Sequence, residues 1–404
     1  MIKMAVLGFG TVGSGVVELI DINQEVIRRA VPEGIYVKHI LDLREFPDSP
    51  YNDRVTHDFE DILNDPEIRI ICETMGGKEP AYTFTKKALE RGISVCTSNK
   101  ELVAAFGPEL LKTAADNHCS YLFEASVGGG IPIIRPLNEC LKQEEITSIY
   151  GILNGTTNYI MTRMEEAGLS FEEALKEAQD SGYAERNPEA DVEGHDACRK
   201  IAILSSLACG KTVRYEDIPC EGISGITKED FGYARKMGMA IKLLGVMKRE
   251  KSGLCVRTAP FMLKADHPLY SVRDVFNAVF VHGNMVDDLM FYGRGAGKFP
   301  TASAVVSDIM QLAATLGTNL PCVWSGETVS LSDSGQERYR YFVRADKGLQ
   351  EAAKKNFGQI EYVHSDMSAE DEIAFITPRL TEDEWAKSST AFGDVISKIR
   401  LLSD

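Results

Sequence analysis

The sequence lacks long apolar runs, clustered cysteines and a recognisable secretory leader. None of its 404 residues falls in a stretch of the roughly 18 apolar residues that a membrane-spanning helix needs. The nine cysteines contain no C-x-x-C motif, which argues against a zinc site. The first residues, MIKMAVLGFG, have neither the basic flank nor the long apolar core of a signal peptide. We therefore expect a cytoplasmic protein with no membrane partner, whose cysteines are reduced, small, buried side chains.

Basic residues are also in deficit. The chain has 44 Lys and Arg against 60 Asp and Glu, a formal net charge of −16. A chain this acidic is repelled by the phosphates of nucleic acids and by anionic membranes, so we expect no nucleic-acid partner. The contents of hydrophobic (44%) and charged (26%) residues are those of a globular protein and exclude a disordered one.

The first 130 residues alternate between apolar strands and helices. Strands are predicted at 2–7, 35–43, 68–73, 93–96 and 120–123, and helices at 12–29 and 80–91. This alternation predicts an α/β fold in which a Rossmann-type parallel sheet is covered by helices on both faces.

A glycine-rich turn separates the first strand from the first helix. It consists of Gly8, Phe9, Gly10, Thr11, Val12 and Gly13. In this position Gly8 and Gly10 let the backbone approach a pyrophosphate, and Gly13 lets the helix pack closely on the strand. The turn therefore predicts a dinucleotide-binding site.

The end of the second strand bears on the choice of cofactor. A carboxylate there favours the free ribose hydroxyls of NAD, whereas a nearby arginine favours the 2′-phosphate of NADP. Asp42 and Arg44 supply one group of each kind, and both could also be solvated residues. We favour NADP through Arg44, with NAD as the alternative.

The rest of the chain has a different pattern. Strands at 146–153, 239–247, 253–263 and 277–283 and helices at 159–167, 170–180, 194–209 and 228–238 predict an α+β domain. A helix at 301–316 is expected to pack back on the first domain. A Ser/Gly-rich linker precedes a βαββαβ segment, the ferredoxin-like order. The expected organisation is a nucleotide-binding domain (1–135, completed by 296–323), an inserted catalytic and dimerisation domain (136–295), a linker (324–336) and a C-terminal domain (337–404).

Six motifs occur in an order that resembles the homoserine dehydrogenase family. Between residue 4 and about residue 316 the chain contains GFGTVGSGV, TSNKELVA, EASVGGGIPII, LNGTTNYI, GYAE followed by DVEGHDACRKIAILSSLA, and GRGAGKFPTASAVVSDI. The resemblance implies NAD(P)H-dependent reduction of L-aspartate 4-semialdehyde to L-homoserine, in threonine and methionine biosynthesis. Two alternatives stay open: a related dehydrogenase acting on another aldehyde or keto acid, and a catalytically silent sensor.

By this resemblance Lys200 is the catalytic acid/base and Asp196 its neighbour. Hydride transfer to an aldehyde leaves an alkoxide, which an ammonium group can stabilise and protonate. Asp196 and Lys200 are four residues apart, so on a helix they share a face. The alternative is a surface ion pair.

The resemblance also assigns the groups that hold substrate and cofactor. Lys100 corresponds to a second catalytic lysine near the nicotinamide and substrate, and Ser98 to its cofactor neighbour. Glu185 and Asp191 are expected to bind the α-ammonium of the substrate. Further contacts are expected from Gly155 and Thr156 to the substrate and from Gly297 to the cofactor.

A monovalent-cation site is implied as well. Glu124, with the backbone carbonyls of Val127, Gly129 and Ile131, resembles the family's sodium site, and oxygen ligands suit a hard cation. The alternative is a structural glycine turn with Glu124 in solvent.

The chain departs from the family pattern at a few positions. His195 and the pair Arg186 and Asn187 differ from the usual residues, and we expect these changes to be neutral. The C-terminal segment resembles an ACT domain but lacks the Pro-Gly pair before its first helix. We therefore favour a dimerising or inert domain over a threonine-sensing one, and expect a homodimer or homotetramer.

Overall fold

The computed structural model of the chain describes residues 1–251, 253–365 and 371–402. The chain divides into two units. The first unit comprises Met1–Glu145, Ala202–Arg214 and Phe291–Thr328, and the second comprises Ile146–Ile201, Tyr215–Met290 and Val329–Asp404.

The strands follow one another along the chain as β1 (Ile2–Leu7), β2 (Ile35–Leu41), β3 (Val55–Thr56), β4 (Ile68–Glu73), β5 (Ser94–Thr97), β6 (Tyr121–Leu122), β7 (Ile146–Ile152), β8 (Lys211–Thr212), β9 (Met239–Glu250), β10 (Gly253–Lys264), β11 (Phe276–Gly283), β12 (Asp287–Arg294), β13 (Ser325–Thr328), β14 (Arg338–Asp346), β15 (Glu361–Val363), β16 (Glu372–Ile376), β17 (Leu380–Thr381) and β18 (Val395–Leu401). The α-helices are α1 (Thr11–Ile22), α2 (Gln24–Ala30), α3 (Phe59–Leu63), α4 (Ala81–Glu90), α5 (Lys100–Asp116), α6 (Gly155–Ala167), α7 (Phe171–Asp180), α8 (Glu189–Val192), α9 (His195–Cys209), α10 (Lys228–Lys236), α11 (Lys298–Ala314), α12 (Gln350–Phe357) and α13 (Glu382–Phe392).

The first unit is built on a parallel sheet with the strand order β3-β2-β1-β4-β5-β6. This is the strand order of a doubly wound dinucleotide-binding sheet. The chain first adds strands on one side of β1 and then, from β4 onwards, on the other side. Ligands bind such sheets at the carboxyl ends of the strands beside this change of side. The predicted α/β class and Rossmann-type sheet are confirmed.

The core of this unit explains the local sequence pattern. Met4 and Val6 of β1 are fully buried, and they pack with Val16 and Ile20 of α1. Helix α11 contributes Val305 and further apolar side chains to the same core. The apolar residues of α1 and α11 recur at helical spacing, so each helix has one apolar face, and that face packs on the sheet.

Several predicted boundaries are wrong. The helix expected at 12–29 is two helices, because Asn23 leaves the helical conformation with φ −102° and ψ 19°. Helix α6 begins at Gly155, one turn before the predicted start, because the Asn154 side chain caps it. Helix α5 and strand β12 are not among the predicted elements. β12 alternates between exposed and half-buried residues, so it lacks the buried apolar face that indicates a strand.

The second unit contains a mixed sheet with the order β12-β11-β7-β9-β10-β18-β14-β16-β15, and β17 pairs with β14. The C-terminal strands continue this sheet because β18 pairs with β10 in parallel. The elements β14, α12, β15, β16, α13 and β18 follow the predicted βαββαβ order. They enclose an aromatic core that includes Phe357, Phe375, Trp385 and Phe392.

The part of the chain that the structure describes has no helix long and apolar enough to cross a bilayer. Residues 366–370, 403 and 404 of the predicted C-terminal domain lie outside the described residues.

Candidate active site

The glycine turn of the first unit leaves the start of α1 open. Gly8 has a φ of +93°, and a Cβ at Gly13 would lie 1.9 Å from the Gly8 carbonyl oxygen. The Thr74 hydroxyl donates to that oxygen at 2.9 Å. A Cβ at Gly10 would meet no atom within 4 Å. The free face at Gly10 and the helix N-terminus beside it can therefore accept a phosphate group.

The other predicted residues of the turn lie around it. The Phe9 N–H points to the end of β2, the Val12 side chain is half-buried, and Thr11 is exposed.

The side chains of Asp42 and Arg44 form a bidentate ion pair just after the end of β2. Asp42 Oδ1 accepts hydrogen bonds from Arg44 N and Nε at 3.0 and 2.9 Å. Asp42 Oδ2 accepts from Arg44 Nη2 at 2.9 Å and from Phe9 N at 2.8 Å. The side-chain hydrogen bonds from Arg44 lower the pKa of Asp42 to about 2. The Arg44 side chain stays exposed, and its guanidinium lies 5.1 Å from the centre of the Phe46 ring.

The carboxyl ends of β4 and β5 hold polar groups that the sequence analysis does not single out. The buried Glu73 carboxylate accepts from Thr97 Oγ1 at 2.5 Å and from Met75 N at 2.7 Å, and burial raises its pKa. Asn99 donates to Gly77 O at 2.6 Å, and its Oδ1 caps α5. An acidic residue ending an apolar strand and an asparagine before a helix are the signals that could have identified them.

The predicted pair Ser98 and Lys100 lies on either side of Asn99. Ser98 is half-buried, and Lys100 is the first residue of α5. Both are therefore at the carboxyl edge of the parallel sheet, where such sheets bind ligands.

In the second unit Lys200 and Asp196 meet on α9. Lys200 Nζ lies 2.7 Å from Asp196 Oδ2 and donates to the Leu153 carbonyl at 2.8 Å. Asp196 is 3% exposed and Lys200 is 9% exposed. This burial excludes the alternative of a surface ion pair, because both charges are removed from solvent.

Asn154 connects this pair to a second carboxylate, that of Asp191. Its Nδ2 donates to Asp191 Oδ1 at 2.7 Å and to Asp196 Oδ2 at 2.8 Å. Its Oδ1 accepts from Thr157 N at 2.8 Å, which fixes the start of α6. No role for Asn154 was predicted from the sequence, although an asparagine just before a helix is a recognisable cap.

The remaining predicted substrate residues lie near the start of α6 and after α7. Thr156 Oγ1 donates to Tyr183 O at 2.7 Å, which joins α6 to the segment containing Glu185. The Glu185 side chain is exposed, and so are those of Arg186 and Asn187. A Cβ at Gly155 would approach Val275 O to 2.8 Å, so this position requires glycine.

Glu124 of the first unit is buried, so the alternative that leaves it in solvent is wrong. Its carboxylate accepts hydrogen bonds from the backbone N–H groups of residues 133, 134 and 135 at 2.5, 2.9 and 2.7 Å. Asp308 accepts from Glu124 N at 2.9 Å and from Arg135 Nη2 at 2.8 Å. Burial and the nearby Glu124 raise the pKa of Asp308 to about 7.

The backbone of the predicted cation loop is tightly folded. Val127 and Ile131 are buried, and Gly129 has a φ of +55°. A Cβ at Gly129 would lie 2.3 Å from Gly295 O. Gly297, with a φ of +121°, precedes α11. Among the described residues no group of three or more His, Cys, Asp or Glu side chains is arranged to hold a metal. A cation at this loop would therefore be held mainly by backbone oxygens.

Cysteine burial differs from the expectation. Cys140 is exposed, and Cys209, Cys220 and Cys322 are partly exposed. The other cysteines are buried as predicted.

Comparisons with known proteins give one family. The profile described as homoserine dehydrogenase matches residues 132–310, and the one described as its NAD binding domain matches residues 8–124. The homoserine dehydrogenase of Bacillus subtilis is 38% identical, covering 98% of this chain and 94% of that protein. A crystal structure of a homoserine dehydrogenase from Thiobacillus denitrificans superposes with a TM-score of 0.90 at 33% identity, covering 99% of this chain and 98% of that one. A hyperthermophilic archaeal homoserine dehydrogenase mutant in complex with NADPH superposes with a TM-score of 0.67 at 27% identity, covering 80% of this chain and 99% of that one.

Proposed function

The chain belongs to the homoserine dehydrogenase family, and from this premise we propose which residues carry the reaction and which cofactor the enzyme prefers. It is an NAD(P)-dependent oxidoreductase that interconverts L-aspartate 4-semialdehyde and L-homoserine. The bound nicotinamide cofactor supplies or accepts the hydride. What remains for the protein is to orient the substrate and to move one proton at the substrate oxygen.

Lys200 moves this proton, and its buried contact with Asp196 is the observation that carries the proposal. Two of the three N–H donors of the ammonium have partners among the described residues, Asp196 Oδ2 and Leu153 O. The third donates to the substrate oxygen. In the reducing direction it stabilises the developing alkoxide and protonates it, and in the oxidising direction the neutral amine removes the hydroxyl proton.

Asp196 orients the ammonium and balances its charge. Asn154 donates to both Asp196 and Asp191, so one amide group bridges the two carboxylates and fixes their positions. Asn154 is thus a positioning residue, since it acts through the carboxylates that it holds.

The α-ammonium of the substrate binds to Glu185 and Asp191, with Gly155 and Thr156 beside them. Support comes from the exposed carboxylate of Glu185 and from the Thr156–Tyr183 hydrogen bond that holds its segment next to α6. The two carboxylates can accept charge-assisted hydrogen bonds from the N–H groups of the ammonium.

The cofactor binds at the glycine turn, with Ser98 and Lys100 on the nicotinamide side and Gly297 as a further contact. Gly8, Phe9, Gly10, Thr11, Val12 and Gly13 cradle its pyrophosphate. The support is the open backbone at Gly10 together with the strand order of the sheet.

NADP is the preferred form. Each oxygen of Asp42 already accepts two hydrogen bonds, which fills the acceptor positions of a carboxylate. Asp42 is therefore poorly placed to accept from a ribose diol. The exposed guanidinium of Arg44 beside it can bind a 2′-phosphate. A higher kcat/KM with NADP+ than with NAD+ would support this preference, and the reverse would contradict it.

A monovalent cation, sodium by our proposal, binds at the loop that contains Val127, Gly129 and Ile131. The donor set is compatible with it because these backbone carbonyls are oxygen ligands. The Glu124 carboxylate is committed to three backbone N–H groups, so its part is to hold the loop. Activity and melting temperature should depend on sodium when choline replaces it at constant ionic strength. Identical activity and melting temperature in the two salts would contradict the proposed sodium site.

The C-terminal segment is an ACT-like domain, and the protein assembles as a homodimer or homotetramer. The strand order β18-β14-β16-β15 with helices α12 and α13 supports the first proposal. The second is supported by the edge strand β12, where Met290 is exposed, because exposed edges pair with other chains. Light scattering on the purified protein should give at least twice the chain mass. Added threonine should leave turnover unchanged.

One assay tests the function itself. Purified protein is supplied with L-homoserine and either NADP+ or NAD+ at alkaline pH, and the reduced cofactor is followed by its absorbance. Turnover on homoserine well above that on other hydroxy acids is the expected result. Stoichiometric cofactor binding without turnover on any substrate would support the silent sensor instead.

A further inference from the structure

A buried carboxylate lies at the edge of the parallel sheet where the cofactor is proposed to bind. Glu73 is the last residue of β4 and is 0% exposed. The proposed proton transfer and substrate contacts do not involve it. A carboxylate removed from water is costly unless its neighbours compensate for the lost hydration, so its contacts indicate what it does.

The first set of contacts joins Glu73 to the glycine turn. Glu73 Oε1 accepts a hydrogen bond from Met75 N at 2.7 Å. Met75 lies against Gly8, since a Cβ at Gly8 would be 3.1 Å from both Met75 N and Met75 Cα. Thr74, which precedes Met75, donates from its hydroxyl to Gly8 O at 2.9 Å. Met75 thus connects the carboxylate to the turn that is proposed to hold the pyrophosphate.

The second set of contacts joins Glu73 to the end of β5. Thr97 Oγ1 donates to Glu73 Oε2 at 2.5 Å and accepts from Asn99 N at 2.9 Å. Ser98, one of the residues proposed for the nicotinamide side, donates from its backbone N–H to Glu73 O at 3.3 Å. Glu73 therefore lies between the residues proposed for the pyrophosphate and those proposed for the nicotinamide.

These contacts favour the ionised form of the carboxyl group. Met75 N can only donate, and the Thr97 hydroxyl, which already accepts from Asn99 N, directs its proton to Glu73 Oε2. Burial raises the pKa of Glu73, and the hydrogen bonds from Thr97 and Met75 oppose that rise. Because each oxygen faces a donor, and such donors stabilise the anion, Glu73 places a fixed negative charge at this edge of the sheet.

The nicotinamide ring changes its charge during the reaction. In the oxidised cofactor the ring carries one positive charge, and addition of the hydride makes it neutral. A nearby negative charge therefore attracts the oxidised ring and has little effect on the reduced ring. The adenosine end of the cofactor, proposed to lie at Asp42 and Arg44, keeps the same charge in both forms.

We propose that Glu73 strengthens the binding of the oxidised cofactor and leaves the binding of the reduced cofactor nearly unchanged. Because reduction of the semialdehyde leaves the ring positively charged, Glu73 favours this direction on the enzyme. Its carboxylate contacts the two loops and not the reacting atoms, so its effect is electrostatic. The inference rests on the proposed cofactor site and adds to it a residue that distinguishes the two oxidation states.

The test compares the dissociation constants of NADPH and NADP+ in the full-length protein without substrate. NADPH is titrated by its fluorescence, and NADP+ by its displacement of NADPH. In Glu73→Gln the Kd for NADP+ should rise about tenfold more than the Kd for NADPH, the scale of one unit charge acting over several ångströms. Glutamine has the shape of glutamate and can keep an oxygen on Met75 N. A purely structural role would therefore change both constants by the same factor.

Asp42→Asn is the matched control. Asp42 is also a carboxylate beside a strand end of this sheet, and it also contacts the glycine turn, through Phe9 N. It lies on the adenosine side, so loss of its charge should change the two dissociation constants by similar factors.

A second pair of variants covers the case in which Glu73→Gln does not fold. Glu73→Asp and Glu73→Asn place side chains of equal size at this position, and only the first carries a charge. Glu73→Asp should bind NADP+ more tightly, relative to NADPH, than Glu73→Asn does. Circular dichroism verifies the fold of each variant.

Three results would overturn the proposal: equal changes of the two constants in Glu73→Gln, a greater loss of NADPH binding than of NADP+ binding, or an equally large change of their ratio in Asp42→Asn. Equal ratios in Glu73→Asp and Glu73→Asn would overturn it as well. A wild type that binds neither cofactor would instead contradict the proposed cofactor site, so the two failures are distinguishable.

Discussion

The glycine turn of the first unit and the lysine pair of the second are built in opposite ways. The turn depends on missing side chains, since a Cβ at Gly13 would collide with the Gly8 carbonyl. The lysine pair depends on side chains and carbonyls gathered from Leu153, Asn154 and α9. Changes in the turn should therefore act on cofactor binding, and changes around Lys200 should act on turnover.

Replacing Lys200 should show the largest separation between an effect on turnover and an effect on cofactor binding. Lys200→Ala should lower turnover by at least about 100-fold, the scale of lost acid/base catalysis, with cofactor affinity unchanged. Steady-state kinetics and cofactor titration by fluorescence measure the two quantities. The matched control is Lys176→Ala, since Lys176 forms an i,i+4 pair with Asp180 that is exposed. The turnover of Lys176→Ala should stay at the wild-type level. A comparable loss of turnover in that variant would show that the burial of Lys200 does not distinguish it from an exposed lysine.

Replacing a glycine of the turn by alanine should impair cofactor binding. Gly13→Ala should weaken cofactor binding and lower stability by about 1–3 kcal/mol, because the added Cβ overlaps the Gly8 carbonyl. Gly10→Ala should weaken binding without loss of stability, since its Cβ has free space in the structure. Urea unfolding and cofactor titration distinguish the two variants. Equal stability losses would show that the turn is merely a tight connection.

Asn154 allows the positioning role to be separated from the helix cap. Asn154→Asp keeps an oxygen to cap α6 but removes the Nδ2 donor shared by Asp191 and Asp196. Helix α6 should stay capped, while kcat falls about tenfold and its pH profile shifts, since a third carboxylate now adjoins Lys200. A variant with normal kcat and an unshifted profile would reduce Asn154 to a cap.

Arg44 tests the cofactor side with a smaller effect. Arg44→Ala should raise the KM for NADPH about tenfold, the loss of one charge-assisted hydrogen-bonding group, and should lower the KM for NADH, because Asp42 loses the Arg44 side-chain donors and can accept from the ribose hydroxyls. The measurement is initial rates with each cofactor at saturating substrate. An equal rise for both cofactors would instead place Arg44 outside the 2′-phosphate site.

The smallest effect concerns a buried acid in the first unit. The pKa of Asp308 is raised to about 7 in the folded protein from an ordinary value of 3.8, so the folded state binds this proton more tightly than the unfolded state. Its contribution to stability is therefore greatest below about pH 4 and is lost as the pH rises towards 7. Asp308→Asn should reduce the fall in stability over this interval, by at most about 1.4 kcal/mol per pH unit. Urea unfolding from pH 5 to pH 7 measures it, and identical slopes for both proteins would contradict the assignment.

The same contrast explains what the sequence could predict. The glycine turn and the strands around it are contiguous patterns, so they are visible in a short window of residues. The contacts of Asn154 with Asp191 and Asp196 join residues about forty positions apart, and no local pattern specifies them. The Glu124 carboxylate is a further example, because its partners 133–135 become neighbours only when the loop folds back. Strand β12 went unpredicted because half of its residues are exposed.

In the proposed mechanism Lys200 supplies the proton that the substrate oxygen takes up when the hydride is transferred. This role is tested most directly by the single-turnover rate of semialdehyde reduction by Lys200→Ala, with the cofactor saturating and its binding verified. We expect a rate at least about 100-fold below the wild type, with partial recovery on addition of methylammonium, which can occupy the space that the lysine leaves. A rate equal to that of the wild type, in a variant that binds the cofactor normally, would contradict it.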